Sequence, residues 1–256
     1  MRWLVVALFT VASVATAAPR AYPLAWDTAT LNRGEGEAIL QVTPHVARAD
    51  RYTRFDNRLA LMLGIADRVE MLVGFDVNLE FIGVPGIEEK NVDALLTNLW
   101  HVTFLKASDV IGISAYGRAS IGLTTAQLEA RVIIEKQVGN AMFTVNSAIS
   151  RDFFWAGRSG IDFRFEQVVS ARYAMENVTA GLEFQARTAL KNKESQGTGL
   201  YLGPTVTWQL PRFWVAAGFY AQIGADRAEA DKKSGTELDF RDNERFVMRA
   251  MFGFKP

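Results

Sequence analysis

The chain has 256 residues, 28 basic against 28 acidic side chains, 49% hydrophobic residues and no cysteine. That balance excludes an intrinsically disordered chain, which would be poorer in apolar residues and lopsided in charge, and it excludes a basic nucleic-acid binder. Without cysteine there is no disulfide scaffold, thiol catalysis or cysteine-held metal, and a mean hydropathy of +0.04 is too polar for several spanning helices.

Residues 1–17 read as a signal peptide. Arg2 supplies a positive start, Trp3 to Val14 a short apolar core, and Ala15-Thr16-Ala17 a small-x-small cleavage site. The apolar run is short of the roughly 20 residues a spanning helix needs, so export is expected rather than anchoring. Residues 18–34 follow as an N-terminal periplasmic segment, and 35–256 form the remaining unit.

From residue 35 the chain alternates with period two. In Val69 to Phe81 the odd positions (Val69, Met71, Val73, Phe75, Val77, Leu79, Phe81) are all apolar, and the even ones are mostly polar or small. A β-strand between two different media requires this pattern. The segment is also long, whereas strands of soluble domains usually run about 5–6 residues. Similar segments start near residues 35, 53, 69, 92, 110, 128, 141, 162, 178, 199, 213 and 243. The expectation is a closed, all-β, antiparallel transmembrane barrel of about twelve strands in an up-and-down meander. Asn98 and Gln167 fall on the apolar face in mid-strand, which a bulge or a shifted register would explain.

The connections alternate in length. Those after strands 2, 4, 6, 8 and 10 (GIADR, LKASD, GN, AMEN, PR) are about five residues or fewer, and those after strands 1, 3, 7, 9 and 11 run to about 6, 10, 8, 9 and 18. Bacterial barrels with both termini in the periplasm have short turns there and longer loops outside. Only TTAQ, after strand 5, is short for its side. A soluble sandwich has no reason to alternate in this way and would show shorter strands.

The polar face supplies the candidate lumen-lining residues: Arg58, Glu70, Asp76, Glu80, Arg118, Glu129, Arg131, Glu135, Arg164, Glu166, Arg172, Glu183, Arg187 and Arg249. Glu37 and Asp152 lie on the same face. Every basic member is arginine, whose planar fork suits carboxylate pairing. Hairpin register from AMEN sets Glu166 diagonal to Arg187, and register from GIADR sets Arg58 diagonal to Asp76. On the opposite face Lys136 and Arg151 sit at strand ends, where a lipid-facing cation costs ~0–1 rather than ~2–4 kcal/mol. Trp100, Phe104, Tyr173, Trp208, Phe213 and Phe254 gather at strand ends as an interfacial girdle.

With the strands placed, WDTATLNRGEGEAILQVTP and GIADRVEMLVGFDV resemble the bacterial outer-membrane β-barrels of the MetA-pathway phenol-degradation and transporter-like family. The shared turn and strand features fall on Thr30, Leu31, Gly34 and Glu37, and on Gly64, Ile65, Asp67 and Glu70, so the likeness covers mainly the first third. The C-terminal RAMFGFKP resembles the terminal aromatic signal read by barrel-insertion machinery, through Phe252 and Phe254, although Lys255 and Pro256 follow. The resemblance implies export to the bacterial outer membrane and a barrel, and more weakly transport.

Twelve strands at ordinary spacing and tilt give a backbone diameter of about 24 Å. The inward charges then have two readings, ion pairs that hold the barrel shut or the lining of a polar channel, and the residues leave both open. The expected function is a channel or transporter for small molecules, hydrophobic ones included. The alternative is a closed structural or adhesive barrel that binds through its loops, with the charged stretch Gly224 to Asp242 as contact surface. A lipid-modifying enzyme would have to use His45 or His101, both of which point inward, away from the lipid-facing surface where such an enzyme works. No metal-ligand spacing, phosphate loop or cofactor motif is present, and outer-membrane lipid is the expected surrounding.

Overall fold

A computed structural model describes residues 24–46, 53–84, 87–155, 163–191, 194–226 and 244–256. Twelve strands form one closed antiparallel barrel: β1 (Gly36–Val46), β2 (Thr53–Ala66), β3 (Val69–Val84), β4 (Ile87–Leu105), β5 (Gly112–Gly122), β6 (Thr125–Val138), β7 (Ala141–Phe154), β8 (Phe163–Met175), β9 (Val178–Lys191), β10 (Glu194–Gln209), β11 (Phe213–Asp226) and β12 (Phe246–Phe254). Each strand pairs with its sequence neighbours, and β1 closes on β12 from Ala38↔Phe254 to Val46↔Phe246. Closure leaves no free edge, which a lipid-embedded sheet cannot tolerate.

Period-two alternation becomes two surfaces. Leu59, Leu61, Val73, Phe75, Leu96, Ile121, Val132, Leu182 and Phe219 are exposed on the outside, while Thr43, Thr97, Ser114, Thr144, Gln185 and Thr207 are buried inside. Trp100, Phe104, Tyr173, Trp208, Phe213 and Phe254 are all exposed, and all six lie at the end of the barrel that carries the short turns. They form one girdle at one rim.

Three of those turns contain two residues: Asp67-Arg68, Gly139-Asn140 and Glu176-Asn177. Left-handed backbone at Arg68 (φ 67°), Gly139 (φ 58°) and Glu176 (φ 45°) makes the reversals tight. The tightness shifts the expected registers by one step. Arg58 stands directly opposite Asp76, and Glu166 directly opposite Arg187, rather than diagonally.

The other end differs from expectation in how its length arises. β3 and β4 pair out to Val84↔Ile87, leaving residues 85–86 as the link, and β9 and β10 pair out to Lys191↔Glu194. β4 and β10 therefore start earlier than alternation indicates. Beyond the lipid both faces of a strand are wet, so the pattern lapses while the ladder continues. The signal peptide lies outside the described residues, as does most of Gly224 to Asp242.

Asn98 and Gln167 need neither a bulge nor a register shift. Asn98 pairs with Val73 and Ala119 in an unbroken ladder, and Gln167 stands opposite Ser147, whose hydroxyl donates to its side-chain oxygen at 2.9 Å. They are lipid-facing polar side chains. The bulges lie elsewhere, at Gly64/Ala66, Thr103/Leu105, Ser195/Thr198 and Leu200/Tyr201. Lys136 reaches the Val110 carbonyl, and Arg151 lies over Phe153 and Phe163, 4.8 and 5.0 Å from their centroids.

The interior is not wholly polar. Ile39, Ala60, Met62, Leu72, Leu99, Ile133 and Trp214 point inward and are buried together, and Val168, Tyr201, Tyr220 and Val247 form a second cluster. In both clusters the missing partner comes from residues before β1: Leu31 and Trp26 in the first, Leu24 and Ala25 in the second.

Candidate functional site: a plugged and charged lumen

Of the segment expected to lie in the periplasm, 18–34, Leu24 to Leu31 lie inside the barrel, while Asn32 to Gly34 are exposed. Leu24, Ala25, Asp27, Thr28 and Leu31 are all buried. The chain turns at Thr30–Glu35 and passes over Gly64, bound by Gly34 N–H to Gly64 O and Gly64 N–H to Glu35 O, both 2.9 Å. A Cβ on Gly64 would stand 1.9 Å from the Asn32 carbonyl oxygen, so only glycine lets the chain cross there.

The segment forms no strand, so its backbone polar groups need other partners. The barrel wall provides them as side chains. Leu24 and Ala25 N–H donate to the two Glu183 oxygens at 3.2 and 3.1 Å. Asn146 accepts from Trp26 N–H at 2.8 Å and donates to Trp26 O at 2.9 Å. Thr103 donates to Thr28 O at 2.6 Å, Thr28 donates to Glu135 at 3.2 Å, and Leu31 N–H donates to Glu70 at 3.0 Å. The Trp26 ring lies 4.8 Å from that of Tyr116 and edge-on to His101 at 6.0 Å. These partners come from β3, β4, β5, β6, β7 and β9, so the segment spans the lumen at its turn end.

The fourteen candidate residues divide accordingly. Glu70, Glu135 and Glu183 hold the plug, as does Arg131, which also lines the cavity and donates from Nη1 to Leu24 O at 3.4 Å, and Arg172 is buried at the same end beside Met142. Arg131 and the other nine line a cavity of about 490 Å³ beyond the plug.

The cavity's charges are cross-linked. Arg58 grips Asp76 with two bonds, 2.6 and 2.8 Å, in the fork geometry that makes such pairs strong. Arg118 binds Glu129 at 2.7 Å, and Arg131 binds Glu129 at 3.2 Å and Glu166 at 2.6 Å. Glu166 therefore bonds Arg131 although Arg187 is its cross-strand neighbour. Arg164 binds Asp152 at 2.6 Å, Arg187 approaches Glu244 at 3.7 Å, Arg249 donates to Thr43 at 3.1 Å, and Asn91 donates to Glu80 at 3.4 Å.

Sequence reasoning passed over Arg54, Asp56, Asp93 and Glu244, which also line the cavity. Arg54 and Asp56 share the even register of Arg58, so extending the alternation to the start of β2 would have found them. Asp93 likewise shares the odd register of β4. Glu244 precedes β12 and carried no signal.

His101 is fully buried, with Nδ1 2.9 Å from Glu70, and His45 lies 3.0 Å from Asp56 and 3.5 Å from Glu244. Both point into the lumen, away from lipid. Among the described residues no group of three or more metal-ligating side chains assembles.

Outside the transmembrane strands, Glu35 accepts from the Asn32 side-chain amide and N–H, both at 2.9 Å. The Asn32 bonds hold its carboxyl below the ordinary glutamate value, and Lys255 adds to the effect.

A closed twelve-stranded antiparallel barrel with an apolar outside is the fold of bacterial outer-membrane proteins. Among solved structures the chain is similar to the COG4313 outer membrane channel from Pseudomonas putida F1, at 10% identity and TM-score 0.65, over 90% of this chain and 98% of that one. It is also similar to the beta domain of the Bordetella autotransporter BrkA (10%, TM-score 0.53, 86% and 99%) and to the KdgM porin in complex with disordered oligogalacturonate (6%, TM-score 0.50, 84% and 98%). At these identities the likeness is one of fold. No family model and no curated protein matches the sequence.

Proposed function

We infer that this chain is an outer-membrane channel for small solutes, held closed by its own N-terminal segment. The observation that carries this reading is the plug: Leu24–Leu31 crosses the turn end of a lumen whose other half is a charged cavity. A barrel needing only rigidity could fill its interior from its own strands. Here a separate segment does so, joined to the wall largely by side-chain hydrogen bonds that can exchange for water. Each such bond is worth only ~0.5–1.5 kcal/mol net.

The similarity in fold to channels and porins agrees with this reading, as does the apolar outer surface with its aromatic girdle. Phe252 and Phe254, both exposed on β12, suit recognition by insertion machinery, and Thr30 to Glu70 contains the residues shared with the MetA-pathway barrels. That resemblance would suit a small hydrophobic solute, whereas the arginine–carboxylate cavity favours a polar one. The second reading, a permanently closed barrel that binds through its loops, draws on the saturation of Arg58 and Arg131 by carboxylates.

Planar-bilayer conductance separates the two. The full chain should conduct little, and a variant lacking residues 24–31 should conduct strongly. Folded barrels that stay silent in both forms would leave only the closed reading.

A further inference from the structure

We propose that the loop end of the cavity is a binding site for a small oxyanion, carboxylate or phosphate, held by Arg54, Arg164 and Arg187. This names the solute class of the channel inferred above and rests on that reading only for its physiological role.

The geometry is a convergence from opposite walls. Arg54 is the second residue of β2 and Arg164 the second of β8, while Arg187 lies near the end of β9, so all three stand at the loop end. In a ring of twelve, β2 and β8 face each other, with β9 beside β8. All three side chains nevertheless line one cavity of about 490 Å³. Each has a carboxylate beside it, Asp56 at 2.5 Å from Arg54, Asp152 at 2.6 Å from Arg164 and Glu244 at 3.7 Å from Arg187.

Arg164 and Arg187 differ from the arginines below them. Arg58 and Arg131 are clamped by carboxylates, with side chains 14% and 7% exposed. Arg164 is 32% exposed and meets Asp152 through one nitrogen, Nη1. Arg187 touches Glu244 only at 3.7 Å and Gln185 at 3.5 Å, and its guanidinium is set over the Tyr201 ring at 5.7 Å. A guanidinium has five N–H donors, so both retain donors for a ligand's oxygens. The fork geometry matches the two oxygens of a carboxylate or phosphate.

The test is isothermal titration of the full chain, refolded in detergent, with citrate and with inorganic phosphate, and with glucose as neutral control. Saturable binding of at least one oxyanion is expected, and none of glucose. The arm that binds identifies the source. The Arg164→Ala/Arg187→Ala double variant should bind about tenfold more weakly or worse, the loss expected for charge-assisted bonds. Arg187→Lys, which keeps the charge and loses the fork, should also weaken binding and guards against misfolding of the double variant. Arg212→Ala, at the turn end, should bind as the parent does, and heat-modifiable migration reports folding.

Failure of the folded parent to bind either oxyanion, or binding undiminished in the double variant, would overturn the site. Binding without conductance after plug removal would sink the channel and spare the site. Conductance without oxyanion binding would do the reverse.

Discussion

The side-chain amide of Asn146 and the backbone of Trp26 bind each other in both directions, N–H to Oδ1 at 2.8 Å and Nδ2–H to O at 2.9 Å. An asparagine amide has the donor and acceptor of a peptide group, so β7 gives the plug one rung of a ladder without a strand to carry it. Asn146→Ala removes both bonds from the half-buried Trp26 backbone, at ~0.5–1.5 kcal/mol each. The expected result is a higher open probability in single-channel recordings with the barrel intact on gels. Unchanged gating would show that the plug is held elsewhere.

Glu183 receives two consecutive plug N–H groups and also the Tyr220 hydroxyl. Glu183→Ala should free the Leu24 end, while Glu183→Gln, which keeps one acceptor oxygen, should have a smaller effect. Protease sensitivity of the N-terminal segment in the folded barrel reads this directly. The order reversed, with Gln worse than Ala, would contradict the assigned bonds.

Trp26 packs between His101 and Tyr116 in the inner apolar cluster. Trp26→Ala should weaken plug docking by less than the ~3–5 kcal/mol of a fully buried aromatic, because Trp26 is half-buried. Because the barrel ladder does not depend on it, conductance should rise while heat-modifiable migration stays close to that of the parent. Collapse of the barrel itself would mean that the plug is part of the folding core.

Glu129 sits between Arg118 and Arg131. Glu129→Ala removes the carboxylate paired with Arg118, while Arg131 keeps Glu166, so the cost should fall below the ~3–5 kcal/mol of a fully uncompensated buried charge. The barrel should lose its heat-modifiable band at a lower temperature than the parent. An equal melting temperature would show that the network adds nothing to stability.

Glu35 gives a prediction in pH. Its carboxyl is lowered by Asn32, so its bond to that residue is present at neutral pH and lost as pH falls through the depressed value. NMR titration of the Glu35 carboxyl should give a midpoint below the ordinary glutamate value, returning towards it in Asn32→Ala. A midpoint at or above the ordinary value in the parent would contradict the geometry of the Asn32–Glu35 turn.

Why the barrel was legible and the plug was not follows from where each pattern comes from. Strands between lipid and lumen must alternate, so Val73, Phe75 and Leu182 announced the outer surface and Arg58, Asp76 and Glu183 the inner one. The plug has no periodicity, and its partners Glu70, Glu135 and Glu183 look like any other lumen carboxylates. One signal was present: Leu72, Leu99, Ile133, Val168 and Val247 are apolar on the wet register. Side chains of that kind facing a lumen require a cover, and nothing in the strands could supply it. Glu166 illustrates a second limit. Register names Arg187 as its neighbour, but reach across the curved wall decides in favour of Arg131.

The plug leads into β1 through the short turn that crosses Gly64. It is thus a tethered ligand, and a leash of a few residues keeps its local concentration in the millimolar range or higher. An intrinsically feeble docking interaction then suffices for occupancy, and release would always be temporary. A detached peptide of the same sequence would fail to block a plugless barrel at ordinary concentrations, although it could make every contact described above.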